Sequence, residues 1–317
     1  MKTGLDQFIL VAGGAGFIGS HLVDRLILLG NKVIVVDDLS TGERNQVNKE
    51  ALFYCGKIEN QLLLEKIFSQ HKISTVYHLA AVINEGIDSE CSLIDANVSA
   101  VGTINLLDFS IRFQVVKFIF VSSVSVYGVP KEIPVTESAK LSPINSYGIS
   151  KLFAEKYVQY YGDKYGLPYH ILRYGNIYGP RQPKIGEVGV ISIFTQRAIN
   201  GQKFKIYGDG RQRRDFLYVE DCVNMTIEMS RVSGNNIVNI ASGKSTSIIE
   251  LVNIFIEFFE GNVSVNFLPK TKDEIGEFVC SCNVFYEIFP DYQSVELRDG
   301  IRKTINYFLA MNNKNED

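Results

Sequence analysis

Tyr147 and Lys151 stand four residues apart in the run Tyr147-Gly-Ile-Ser-Lys151. On a helix, that spacing puts the phenol and the ammonium one turn apart on the same face. A neighbouring positive charge favours phenolate and draws a tyrosine below its ordinary value of about 10, toward a useful general base. Ser123 lies just beyond the apolar run 117–122 (KFIFVS) and can hydrogen-bond the same substrate oxygen. Together the three groups can take a proton from an alcohol while its carbon gives hydride to a nicotinamide.

Spacing alone does not make a site, because Tyr127-Gly-Val-Pro-Lys131 repeats it. Gly128 and Pro130 make that segment a turn, so its two side chains need not converge. Tyr127 reads instead as packing near the sheet edge.

The catalytic trio needs an element that holds a nicotinamide beside it, and residues 8–38 predict one. Residues 8–12 are an apolar run of strand length, followed by glycines at 13, 14, 16 and 19. Phe17, Ile18, Leu22, Val23, Leu26 and Ile27 then recur at helical spacing, and Gly30 stops the helix. Residues 32–36 form a second buried-type strand that ends in Asp37 and Asp38. This is the first strand–turn–helix–strand unit of a dinucleotide-binding sheet. Gly13 and Gly16 let the backbone turn sharply toward a pyrophosphate, Gly19 lets the helix lie close to the strand, and the helix N-terminus offers N–H groups to the anion. The gap from Gly13 to Gly16 is one residue longer than in the usual fingerprint. Asp37 falls where a ribose hydroxyl sits, and its carboxylate favours NAD over NADP by repelling a 2′-phosphate.

Further along, residues 51–54, 75–79, 117–122 and 170–173 read as strands, and 61–69, 92–113 and 147–165 as helices. Their alternation predicts an α/β fold, a Rossmann-type doubly wound parallel sheet. Residues 1–174 form the expected NAD-binding domain. Residues 175–317 form a smaller mixed α/β substrate-binding lobe, with 237–240 as a late strand returning to the main sheet. Arg211, Arg213 and Arg214 cluster in a glycine-flanked loop, as either a solvated patch or a clamp for a substrate diphosphate. Gly243-Lys244-Ser245 resembles the end of a phosphate loop, but Val238 stands where that motif needs glycine.

The chain has 317 residues, 46% hydrophobic and 21% charged, with a net charge of −3. Acids and bases are mixed along it, which argues against nucleic-acid or anionic-membrane partners. With no signal-peptide pattern and no apolar stretch of membrane length, cytoplasm is the expected location. Five scattered cysteines and four separated histidines show no metal-ligand spacing, so no metal is expected.

The motifs run nearly end to end: GGAGFIGSHL (13–22), VVDDLSTG (35–42), HLAA (78–81), NVSAVGTINLL (97–107), VSSVSVYG (121–128), YGISK (147–151), RYGNIYGPRQ (173–182), GDGRQRRDFLYVED (208–221) and NIASG (239–243). In them the chain resembles the extended short-chain dehydrogenase/reductases of the NAD-dependent nucleotide-sugar epimerase/dehydratase family, and within it the UDP-hexose 4-epimerases. The resemblance implies a catalytic set of Ser123, Tyr147 and Lys151. It implies that NAD is held by Gly13, Gly16, Phe17, Ile18, Gly19, Asp37, Asp38, Ser40, Thr41, Gly42, Ile58, Leu79, Ala80, Ala81, Tyr147 and Lys151. A nucleotide-diphosphate sugar would meet Ser123, Asn176, Val190 and Arg214, with residues 215–218 in the supporting wall and Ser281 at the position that gates substrate size. The implied reaction is inversion of C4 of a UDP-hexose or UDP-N-acetylhexosamine through a 4-keto intermediate. The implied assembly is a homodimer through helices 92–113 and 147–165.

The alternatives are a nucleotide-sugar 4,6-dehydratase or decarboxylase and a non-catalytic nucleotide-sugar binding protein. Dehydratases of this group place Asp-Glu after the strand-end serine or threonine, where this chain has Val124-Ser125. Retention of serine, tyrosine and lysine together speaks against mere binding. The chain departs from the family pattern at Gly56-Lys57-Ile58, which lacks an acid expected near the adenine. It departs again at Val82-Ile-Asn-Glu-Gly86. A third departure is Glu274-Ile-Gly-Glu277, where a carboxylate replaces a diphosphate arginine and Lys270 or Lys272 is the available substitute.

Overall fold

The computed structural model describes residues 7–81, 89–183, 189–270 and 275–313. The first elements are β1 (Phe8–Ala12), α1 (Phe17–Leu28), β2 (Lys32–Asp37), β3 (Leu52–Cys55), α2 (Gln61–Gln70) and β4 (Ile73–His78). Next come α3 (Ser89–Asn97), α4 (Thr103–Arg112), β5 (Lys117–Ser123), α5 (Ser146–Tyr165) and β6 (Tyr169–Tyr174). The remainder opens with β7 (Asn176–Tyr178), α6 (Val190–Ile199), β8 (Phe204–Tyr207), β9 (Arg213–Tyr218), α7 (Val219–Arg231) and β10 (Asn236–Ile240). It closes with β11 (Ser245–Ser247), α8 (Ile248–Phe258), β12 (Val265–Leu268), β13 (Glu277–Phe278), α9 (Asn283–Ile288) and α10 (Leu297–Asn313).

The chain divides into two compact units. Unit one comprises Met1–Gly128, Lys140–Tyr174 and Val223–Val238. Its seven-stranded sheet runs in the order β10-β6-β5-β4-β1-β2-β3, and the pairs from β6 across to β3 are all parallel. The expected return of 237–240 to this sheet is β10, beside β6. Strand order reverses between β1 and β4, so a crevice opens beyond their carboxyl ends, where such sheets take their ligands. Leu10, Val11, Ile34, Val35, Val76 and Phe118 are fully buried, as strands covered on both faces require.

Local chemistry sets the helix ends. Asn60 caps α2 by accepting from the Leu63 N–H at 3.1 Å. Asn145 caps α5, and Gly166 stops it in the left-handed conformation at φ +71. The expected single helix over 92–113 is instead α3, a π-helical stretch over Val98–Gly102 and α4. A Cβ on Gly102 would lie 2.4 Å from Ile58 Cδ1, so a side chain there would have to push that isoleucine aside.

Tyr127 is buried in the interior, not at a sheet edge. Its hydroxyl accepts from Arg173 Nη1 at 2.9 Å, with the guanidinium 4.9 Å from its ring centre. Arg173 also forms a two-pronged pair with Glu155 at 2.9 and 2.8 Å, and Ser122 donates to the same carboxylate at 2.6 Å. This buried network ties β5, α5 and β6 together.

Unit two comprises Val129–Ala139, Gly175–Cys222 and Asn239–Asp317. β9 pairs with β11, β13 and β7, while β8 and β12 form a parallel pair of their own. Buried Asp215 organises the centre by accepting from the N–H groups of Ser242, Gly243 and Cys280 and from the Ser242 hydroxyl. Among the described residues, Cys55, Cys280 and Cys282 are free thiols, and no helix is long and apolar enough to cross a membrane.

Candidate active site

At the end of β1 the chain turns through Gly13 at φ +82, and a Cβ there would lie 2.6 Å from the Ala80 nitrogen. A Cβ on Gly19 would approach the Gly13 carbonyl oxygen to 2.0 Å. The turn therefore packs between α1 and the segment after β4, which the Leu79 N–H anchors to the Ala12 carbonyl at 2.9 Å. Gly16 precedes α1 in extended conformation, and neither a capping side chain nor an acid occupies the first turn. Phe17, Ile18 and Gly19 form that first turn, whose amides and dipole suit a phosphate.

Asp37 closes β2 beside this turn. Its two oxygens accept from the N–H groups of Ala15 and Leu39, each at 2.9 Å. Each oxygen keeps a further lone pair for a ribose hydroxyl. Burial pushes its carboxyl up from the ordinary range, and those two hydrogen bonds oppose the shift. Asp38 accepts from the Ser40 N–H at 3.0 Å, and Gly42 packs so closely on Ala15 that a Cβ would lie 2.7 Å from its carbonyl. Gly42, Leu79 and Ala80 thus lie against the glycine turn, and Ile58 is buried against Gly102. A pinched glycine turn, an uncapped helix N-terminus and a strand-end carboxylate fit NAD.

Tyr147 and Lys151 do share one turn of α5. Lys151 is 2% exposed, and its ammonium donates to the Val121 carbonyl at 2.8 Å and lies 5.8 Å from the centre of the Tyr147 ring. Tyr147 itself is half-buried. Ser123 ends β5, where its Oγ accepts from the Ser125 N–H at 3.2 Å. Two residues that the motif reading passed over bring these pieces together. Asn145 accepts from the Gly148 N–H at 2.8 Å and starts α5 one residue before Tyr147. Gly148 lets that end press onto the Ser123–Ser125 turn, since a Cβ there would lie 2.6 Å from the Ser125 carbonyl oxygen. The sequence signal for Asn145 was an ordinary cap ahead of a helical pattern. Gly148 carried no signal outside the fold.

His78 ends β4 within reach of the Lys151 charge. It is fully buried, Nε2 pairs with Thr103 Oγ1 at 2.8 Å, and burial pushes its pKa down to about 3, with Lys151 acting in the same direction. An unfolded histidine titrates near 6.5. Between these values the unfolded chain binds a proton that the folded chain refuses, so stability rises with pH and is lost on acidification. We expect His78→Asn to lose about 2–3 kcal/mol less stability than wild type between about pH 7 and pH 4, read from urea unfolding. Parallel losses in the two proteins would show that the imidazole is not held neutral.

Of the residues expected to meet substrate, Asn176, Val190, Arg214 and Ser281 belong to unit two. Asn176, the exposed residue of β7, donates to the Asp215 carbonyl at 3.0 Å from beside β9. Arg214, on β9, anchors Nη1 on the carbonyls of Arg213 and Ile275. Val190 opens α6, and Ser281 is buried with its N–H on the Val135 carbonyl. The three neighbouring arginines do not form one clamp. Arg211 points to solvent beside Asp209, while Ser245 and Glu250 hold Arg213. Lys270 is exposed, and Lys272, Glu274 and residues 82–86 lie outside the described residues.

A model of the NAD dependent epimerase/dehydratase family matches residues 9–241. The crystal structure of UDP-glucose 4-epimerase with UDP-glucose from Thermotoga maritima is 38% identical, with a TM-score of 0.91 over 96% of this chain and 99% of that one. The Thermus thermophilus UDP-glucose 4-epimerase in complex with NAD is 32% identical, with a TM-score of 0.87 over 95% and 98%. The UDP-N-acetylglucosamine 4-epimerase of Methanobrevibacter ruminantium, in complex with UDP-N-acetylmuramic acid, is 31% identical, with a TM-score of 0.88 over 98% and 100%.

Proposed function

The chain belongs to the NAD dependent epimerase/dehydratase family, and we propose that within it the protein is a 4-epimerase of UDP-hexoses or UDP-N-acetylhexosamines. The observation that carries this reading is Tyr147 set one helical turn from the buried Lys151, on a helix end that Gly148 packs against the turn bearing Ser123. Tyr147 would take the proton of the sugar 4-hydroxyl as C4 passes to the ketone, and would return it when the alcohol re-forms. Lys151 would favour the phenolate by its charge, and the Ser123 hydroxyl would hold the oxygen as it becomes a carbonyl. Bound NAD supplies the hydride acceptor and donor for C4. Gly13, Gly16, Gly19 and the first turn of α1 would hold its pyrophosphate, and Asp37 its adenosine ribose.

Asn176 and Arg214 are the proposed contacts of the substrate diphosphate. The solved relatives that carry UDP-glucose and UDP-N-acetylmuramic acid support a uridine nucleotide. Val124-Ser125 after the catalytic serine supports epimerisation over dehydration, because neither side chain can protonate a departing hydroxyl. The test is to incubate purified protein with UDP-, dTDP-, GDP- and CDP-sugars and follow products by NMR. An inverted C4 centre is the expected outcome. Loss of water or carbon dioxide, or no product at all, would overturn it.

The same reading makes the protein a homodimer. Ile94 on α3, Val101 on the π-helical stretch and Ile149, Phe153 and Tyr160 on α5 are exposed apolar side chains on the two helical segments expected to pair. A monomer mass by light scattering would refute this.

A further inference from the structure

The buried Lys151 ammonium donates to the Val121 carbonyl and lies over the rings of Phe120 and Tyr147. A charge so buried is unfavourable unless an opposite charge stands near it. Glu155, one turn along α5, is taken up by the two prongs of Arg173 and by Ser122. His78, facing Lys151 from β4, is held neutral by burial. Asp95 on α3 is an anionic group that acts on Lys151. It is 4% exposed, its Oδ1 accepts from Ser99 at 3.2 Å, and Ser150, the neighbour of Lys151 in sequence, hydrogen-bonds it as well. Ser99 lies in the π-helical stretch that follows α3, so the widened turn supplies one of the two hydroxyls that hold the carboxylate.

We propose that Asp95 is a positioning residue, its carboxylate held by Ser99 and Ser150 as the counter-charge that keeps Lys151 protonated beside Tyr147. It acts through Lys151 and touches no reacting atom. Burial raises the Asp95 carboxyl above its ordinary range, and the Lys151 charge is among the influences that oppose the rise. Without the carboxylate, the enclosed amine favours its neutral form, and the field that stabilises the Tyr147 phenolate is lost.

The inference rests on Tyr147 being the base, and its test has a readout that needs no turnover. The Tyr147 phenolate is titrated by ultraviolet difference spectra between each NAD-loaded protein and its Tyr147→Phe counterpart, for wild type, Asp95→Asn and Asp95→Glu. Asp95→Asn should raise the Tyr147 midpoint by about one pH unit, and Asp95→Glu should bring it back toward wild type. The acid limb of kcat against pH should move upward with the midpoint. A midpoint that stays put, or that falls, overturns the proposal. So does a kcat lowered equally at every pH, the mark of packing alone. Should Asp95→Asn fail to fold, Ser150→Ala loosens the carboxylate from α5 and should raise the midpoint by a smaller amount, with no shift again decisive against the idea. If wild type turns over no nucleotide sugar, the functional reading fails while the titration still decides the role of Asp95.

Discussion

Tyr147→Phe should lower turnover by about three orders of magnitude while the protein keeps its bound NAD. The phenol oxygen is the one atom removed, and it is the proposed acceptor of the 4-hydroxyl proton. A half-buried ring one turn from Lys151 keeps its packing when that oxygen goes, so α5 should fold as before. Lys151 retains its bond to the Val121 carbonyl and the contact with Phe120. The loss should therefore fall on kcat, with NAD content measured by absorbance after release and thermal melting unchanged within error. Turnover at the wild-type rate would remove Tyr147 from the role of base and leave the mechanism without one.

Gly13→Ala should abolish NAD retention, with affinity weakened about 100-fold or more, and should destabilise unit one. Two separate penalties meet at this position. At φ +82 a side chain is strained, by about 1–2 kcal/mol. The added Cβ would also stand 2.6 Å from the Ala80 backbone nitrogen, which cannot move aside like the end of a flexible side chain. The turn and the segment after β4 must then separate, and the cradle they form opens. Gly30 separates the two effects. It has the same backbone sign, φ +83, but nothing within 4 Å of a built Cβ. Gly30→Ala should thus cost stability alone and leave NAD in place, as seen by NAD content on gel filtration. Equal retention of NAD in both variants would refute the assignment of the cradle.

Much of this protein was legible before folding. The pattern 8–38 set β1, the glycine turn, α1 and β2 within a residue or so, because strand, turn and helix there follow from apolar period and glycine position alone. Tyr147 and Lys151 were legible for the same reason, since a four-residue spacing on one helix determines its own geometry. Tyr127-x-x-x-Lys131 shows the boundary of that logic. The spacing matched, yet tertiary structure sank Tyr127 into the interior against Arg173, a partner 46 residues away. The arginine cluster of 211–214 parted in the same way, because neighbours from 245 and 250 hold Arg213 while Arg211 faces water.

Short-range order in the chain, then, determined the elements, the glycine turn and the pairing of Tyr147 with Lys151. What the folded chain alone decided is which groups surround the pair. Asp95 meets Ser150 and the charge of Lys151 from a helix some fifty residues earlier, His78 comes from the end of β4, and Gly148 acts only through its close approach to Ser125. Such contacts depend on burial and on distances between segments remote in sequence, and neither leaves a local period to read.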